Sequence, residues 1–227
     1  MRIAIAGAGA VGRSIASELI EAGHTVMLIE RQPQQFVPET VEGADWVLGD
    51  ACEVSTLEDS GLQLCDVVIA ATGDDKVNLV LSLLAKTEFA VRRVVARVNN
   101  PANEWLFNES WGVDVAVSTP RILAAMVEEA VSVGDLVRLM TFRQGRANLV
   151  EMTLPPDTPL AGKAVRELTL PRDAALVTIL RGERVIVPQP DAPLEPGDEL
   201  LFVSASGAEP EIRHALGVDG GDAETTP

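Results

Sequence analysis

Residues 2–12 read Arg2-Ile3-Ala4-Ile5-Ala6-Gly7-Ala8-Gly9-Ala10-Val11-Gly12, a short apolar run that leads directly into Gly-x-Gly-x-x-Gly. Beyond it, Val11, Ile15, Leu19 and Ile20 recur at helical spacing until Gly23, which reads as a helix stop. A strand, a glycine-rich turn and a helix in that order open a βαβ unit. Gly7 permits the tight turn. Gly9 lets the main chain approach a diphosphate with no Cβ in the way, and Gly12 lets helix and strand pack closely. Ala8, Ala10 and Val11 complete the loop, whose free N–H groups and helix dipole suit an anion.

Outward from this loop, short β-branched runs alternate with helix-length amphipathic stretches, as βαβ units around a doubly buried parallel sheet require. Strands are expected at 2–6, 25–29, 46–48, 66–70, 94–98 and 114–116. Helices are expected at 75–87, from Pro101 and after Pro120. The character then changes. Of the 14 prolines, only Pro33, Pro38, Pro101 and Pro120 precede Leu136. The second half predicts a hairpin of strands 136–142 and 148–154 around 143–146, strands at 175–180, 184–188 and 199–204, and a helix over 208–216. The expected fold is therefore α/β, a doubly wound parallel-sheet Rossmann domain over 1–136 followed by a small α+β domain over 137–217. A tail over 218–227 has nothing to bury and is expected to be disordered.

Composition narrows the function classes. With 47% hydrophobic and 23% charged residues, the 227-residue chain is a folded globular protein by composition. The net charge of −16 repels phosphate backbones and anionic headgroups alike, so nucleic acid and direct membrane adsorption are not expected partners. No apolar run approaches the roughly 18 residues of a membrane span, and the Gly-broken N-terminus does not suit a signal peptide, so direct membrane insertion is not expected and an intracellular chain is. Cys52 and Cys65 lack metal-ligand spacing, and no metal site is expected.

Further candidate binding residues sit at the ends of the expected strands. Glu30 ends the second, 18 positions after Gly12, where a carboxylate can accept hydrogen bonds from a ribose diol and repel a 2′-phosphate, favouring NAD over NADP. Arg31 can lie over an adenine or remain solvated. Asp50 and Ala51 follow the third strand; Asp50 suits either an adenine amino group or the cap of the segment through Leu57. Thr72 and Gly73 follow the fourth strand and suit the second ribose and the phosphates. Thr72 and Asp74 can bond sugar hydroxyls, and Asn78 lies one helical turn further on; for Asp74 or Asp75 alone, helix capping comes ahead of ligand contact. Arg97 is a charge in an apolar strand and needs a phosphate or a carboxylate.

No catalytic residue emerges. Hydride transfer generally needs a His, Lys or Tyr beside the nicotinamide. The chain has no Tyr, His24 follows the first helix on the wrong side of the sheet, and His214 lies near the end. A small NAD-dependent oxidoreductase is the alternative reading of the same loop.

These motifs, with Ala71-Thr72-Gly73-Asp74-Asp75-Lys76-Val77-Asn78-Leu79, Ala96-Arg97-Val98-Asn99-Asn100-Pro101, Leu160-Ala161-Gly162-Lys163 and Leu194-Glu195-Pro196-Gly197-Asp198, resemble the TrkA family of cytosolic regulators of Trk/Ktr potassium uptake. The resemblance covers about 215 residues. It implies a non-enzymatic gating subunit with paired domains that regulate potassium conductance (RCK domains), responsive to NAD(H) or to ATP/ADP. It also implies a cytoplasmic ring, octameric in the first instance and tetrameric in the second, beneath a separate membrane potassium channel subunit. The stripe Ile122, Leu123, Met126, Val127 and Ala130 suits either a neighbouring subunit or packing within its own domain.

Overall fold

The computed structural model describes residues 1–131, 133–142 and 147–218. It divides into two compact units, Met1–Arg121 and Ile122–Pro227. The shift in proline content falls later, near 134–136; between the two positions lie most of a helix and the approach to the first strand of the second sheet.

The first unit is built on six parallel strands: β1 (Arg2–Ala6), β2 (Thr25–Glu30), β3 (Asp45–Leu48), β4 (Val67–Ala70), β5 (Arg93–Val98) and β6 (Val115–Ser118). Their order is β3-β2-β1-β4-β5-β6, the doubly wound arrangement in which the winding reverses between β1 and β4. Alternate residues of β1, β2, β3 and β4 enter different cores. Ile3, Ile5, Val26 and Leu28 pack on one face with Ala16 of helix α1 (Ala10–Glu21). Ala4, Ala6, Met27 and Ile29 face the other way, toward the core that holds Leu79 and Leu81 of helix α3 (Asp75–Thr87) and Leu57 of helix α2 (Val54–Asp59). Both faces are therefore apolar, and each fully buried Ile or Leu contributes on the order of 2 kcal/mol.

The expected strands and helices are present with small shifts at their ends, except the helix expected from Pro101. The segment after Asn100 is a 3-10 turn, Pro101–Leu106, with Asn100 Oδ1 accepting from Ala102 N at 3.0 Å. Helix α4 (Thr119–Val131) starts one residue before Pro120. Its Ile122, Leu123, Met126 and Val127 side chains are exposed in the single chain. Ala130 lies outside the described side chains.

The second unit holds a five-stranded antiparallel sheet: β7 (Val137–Phe142), β8 (Ala147–Thr153), β9 (Ala174–Arg181), β10 (Arg184–Ile186) and β11 (Glu199–Ala205), in the order β10-β9-β11-β8-β7. Helix α5 (Glu209–Ala215) follows, and Ile212 joins Val150, Met152, Ile179, Leu200 and Phe202 in the core. Asp198, fully buried, locks the turn before β11. It accepts from Arg181 Nε at 2.6 Å, from Arg181 Nη2 at 2.9 Å and from Glu195 N at 2.8 Å. The expected hairpin turn at 143–146 and residues 219–227 of the expected tail lie outside the described residues, while Val218, expected to open that tail with nothing to bury, packs against the core and donates its N–H to Arg213 O at 3.0 Å.

Candidate functional site

Where the winding of the parallel sheet reverses, the loops at the carboxyl ends of the strands separate and leave a crevice. A cavity of about 680 Å3 occupies it. The strand order divides its walls. The glycine loop after β1 is central, Glu30 of β2 and Asp50 after β3 stand to one side, and Thr72 after β4 and Arg97 of β5 stand to the other.

The central loop is as tightly constrained as its sequence suggests. Gly7 has φ +99°, and a Cβ there would sit 2.9 Å from Thr72 Cα. A Cβ on Gly12 would sit 1.8 Å from Gly7 O, so only glycine lets the first turn of α1 cross the strand end. Gly9 differs. Its φ of −68° suits any residue and an added Cβ would meet no protein atom, yet it lines the cavity. Gly73 shares that property across the cavity. No side chain caps α1, so the free N–H groups of its first turn, with the positive end of the helix dipole, face the space.

Glu30 is buried, and its carboxylate organises the β2–β3 side of the site. Oε2 accepts from Ala8 N at 2.7 Å and Oε1 from Gln32 N at 2.8 Å. Each oxygen retains acceptor capacity toward a ligand hydroxyl. Arg31 reaches Asp50, Nη1 to Oδ2 at 3.3 Å, while Asp50 Oδ1 accepts from Cys52 N at 2.9 Å in a local turn. Helix α2 begins further on, at Val54, so Asp50 is not its cap. Burial raises the Cys52 thiol pKa, and the Asp50 carboxylate raises it further, which disfavours a thiolate.

On the other side, Asn78 is completely buried and fixes Thr72. Its Oδ1 accepts from Thr72 N at 3.0 Å and from Thr72 Oγ1 at 2.6 Å, and its Nδ2 donates to Thr72 O at 3.2 Å and to Arg97 O at 2.8 Å. Asp74 caps α3 by accepting from Lys76 N at 2.8 Å. Arg97 lines the cavity with its Nε buried and without a hydrogen-bond partner.

Thirteen of the residues singled out by sequence thus line one cavity: Gly7, Gly9, Ala10, Val11, Gly12, Glu30, Arg31, Asp50, Ala51, Thr72, Gly73, Asp74 and Arg97. Ala8 and Asn78 stand behind the wall. The Ala8 N–H is spent on Glu30, and the Asn78 amide is spent on Thr72 and Arg97. The wall also contains Arg13 and Val77, which sequence reasoning missed, each four residues after an open glycine, Gly9 and Gly73. That spacing places them one helical turn behind the loop and was the available sign. Gln32 and Gln35 line the mouth, with Arg13 Nη1 donating to Gln35 Oε1 at 3.4 Å; no periodicity marks them.

Among the described residues no group of three or more His, Cys, Asp or Glu could hold a metal ion, and no helix is long and apolar enough to cross a membrane.

Residues 3–119 match the TrkA-N domain and residues 149–217 the TrkA-C domain. The chain is 68% identical over 216 residues to the Trk system potassium uptake protein TrkA of Mycobacterium tuberculosis, covering 95% of this chain and 98% of the relative. The chain belongs to the TrkA family. A TrkA homolog of Methanothermobacter thermautotrophicus is 31% identical over 212 residues, 93% of this chain and 97% of its own length. The Archaeoglobus fulgidus homolog is 32% identical over 90% of this chain, which spans only 47% of that longer relative. Among solved structures, the GsuK channel bound to NAD superposes with a TM-score of 0.69 at 20% identity, covering 99% of this chain and 40% of the channel. The AMP-bound C-terminal domain of Shewanella denitrificans Kef gives 0.51 at 20% identity, covering 58% of this chain and 80% of that one. At that identity the likeness is one of fold.

Proposed function

We propose that this chain is the nucleotide-binding regulatory subunit of a Trk-type potassium uptake system, with adenosine ligands acting as signals rather than substrates. The observation that carries the reading is the cavity itself. An uncapped helix start and two glycines that no protein contact requires border it on the phosphate side, and a buried carboxylate stands where a ribose would lie. Each feature favours a nucleotide: N–H groups and dipole for the diphosphate, Gly9 and Gly73 for close main-chain approach, Glu30 for the sugar diol. Glu30 disfavours a 2′-phosphate, so NAD(H) is preferred to its phosphorylated form, with ATP/ADP the second ligand class.

The names of fold neighbours lend support, since the GsuK structure contains NAD and the Kef domain contains AMP. Among the described residues the wall holds no histidine, lysine, cysteine or tyrosine; its ionisable groups are carboxylates and arginines. The partner is a separate membrane potassium channel subunit, and the chain acts at the cytoplasmic face as a ring, octameric first and tetrameric second. The exposed stripe of α4 supplies apolar surface for such self-association. Ligand changes channel conformation only through different affinity for the two states of the ring.

The test is calorimetric titration of the full chain with NAD, NADH, ATP and ADP, combined with mass measurement of the assembly. Binding of at least one, weakened by Glu30→Ala, is expected. No binding of any of the four contradicts the reading.

A further inference from the structure

Asp75 belongs to none of the ligand-facing positions, yet its carboxylate is among the most heavily bonded groups of the first unit. Oδ1 accepts from Asn99 N at 2.7 Å and from Asn99 Nδ2 at 3.0 Å. Oδ2 accepts from Asn100 N at 3.0 Å and from Asn103 Nδ2 at 2.8 Å. All four donors come from one short segment, 99–103, and none carries a charge. Asn99 Nδ2 also donates to Thr72 O at 3.0 Å, so one amide bridges the Asp75 carboxylate and the carbonyl of the cavity loop.

Two anchors therefore meet at Thr72. Asn78, from within α3, indexes Thr72 to Arg97 O on β5. Asp75, at the first turn of α3, indexes the same loop to the segment that leaves β5. Loop 72–74 and the end of β5 become one preassembled wall, in which Gly73 and Arg97 line the cavity. This wall lies only on the β4–β5 side of the glycine loop. Glu30 and Asp50, on the β2–β3 side, have no bond to it among the described residues.

We infer that Asp75 is a positioning residue for the half of the cavity that holds whatever lies beyond the adenosine diphosphate, and so sets selectivity for a dinucleotide over a mononucleotide. The inference rests on the nucleotide-binding reading and deepens it. Adenosine and its diphosphate engage Glu30, Asp50 and the glycine loop, which are built without Asp75. A second nucleoside must be received by Thr72, Gly73 and Arg97, whose placement depends on the Asp75 and Asn78 anchors. Preassembled donors and acceptors cost no reorganisation when the ligand arrives, whereas a loosened wall must be ordered at the ligand's expense.

The test compares NAD with ADP by calorimetry on the full chain and on the Asp75→Asn and Asn103→Ala variants, with ligand-free thermal unfolding measured beside them. Asp75→Asn replaces a pure acceptor with a group that must turn an NH2 toward other donors. It is expected to weaken NAD about tenfold, the usual scale for losing a charged hydrogen-bond acceptor, while ADP affinity stays within a factor of two. Asn103→Ala removes one of the four donors, leaves the carboxylate in place and should shift the NAD/ADP ratio in the same direction by less. It also keeps the test open if Asp75→Asn does not fold. Equal loss of both ligands, or loss of neither, in a folded variant overturns the inference, because a merely structural aspartate changes stability without changing the ratio. If the parent binds ADP but not NAD, the inference falls and the nucleotide reading survives; if the parent binds neither, both fall.

Discussion

Each unit of this chain buries an aspartate at a turn, and the two are satisfied in opposite ways. Asp198 of the second unit meets a bidentate guanidinium, Arg181, whose pKa is held above its ordinary value by the hydrogen bonds from Asp198 despite the opposing effect of burial. Asp75 of the first unit meets four neutral amide donors. Burial alone would raise its pKa, but the bonds from Asn103, Asn99 and Asn100 win and the pKa is lowered. A paired charge closes a turn and has no charge left to offer. A charge held by amides orders the loop beside it without bringing a cation to the cavity wall.

The comparison breaks most visibly at Asp198. Asp198→Ala removes the buried acceptor of Arg181 Nε and Glu195 N, although Arg181 keeps Glu195 Oε1 and Pro193 O, and should destabilise the second unit by about 2–3 kcal/mol, read by urea unfolding, with nucleotide affinity unchanged. Next in size is Glu30→Ala, which strands the N–H groups of Ala8 and Gln32 as well as losing the sugar contact. About 2 kcal/mol of binding should be lost for every adenosine ligand alike, measured by calorimetry.

Acid sharpens the contrast. Asp75 and Glu209 both titrate below their ordinary values in the folded protein. For Glu209, burial pushes upward but its own main chain, Arg138 and Asn148 push down harder. A lowered folded pKa means stability that is fully present above the unfolded value, near 4, and is lost as pH falls through the folded value. Unfolding followed from pH 5 downward should steepen below about pH 4, and Asp75→Asn should remove part of that dependence without altering stability changes above pH 5. The smallest effect belongs to Arg31→Ala. It breaks an exposed pair at 3.3 Å and should change stability by less than about 0.5 kcal/mol in thermal unfolding.

Much of this was legible in the sequence because local rules and the global fold agree in the first unit. The run 2–12 sets strand, turn and helix in register, and the β-branched runs at 25–29 and 94–98 have one physical solution, a parallel sheet buried on both faces. The carboxyl-edge rule then gathers Glu30, Asp50, Thr72 and Arg97 although they are far apart in the chain. What could not be read was direction. Ala8 of the glycine loop and Asn78 of α3 stand in the right segments, but whether an amide turns toward the cavity or away from it depends on partners such as Thr72 O and Arg97 O that only the assembled sheet supplies. Nothing in the local sequence marks Asn99, Asn100 and Asn103 as one cluster, because their shared acceptor, Asp75, lies 24 or more residues upstream.

The central claim is that the crevice receives a ligand diphosphate directly against the protein main chain, and Gly9 isolates it. A methyl group there meets no protein atom, so Gly9→Ala should leave thermal stability within about 0.5 kcal/mol of the parent. Calorimetric titration of parent and Gly9→Ala with NAD and ADP tests it most directly. The expected result is binding by the parent and a loss of about tenfold or more in the variant, from steric exclusion of the diphosphate. A parent that binds neither ligand, or a variant that binds as the parent does, contradicts the account.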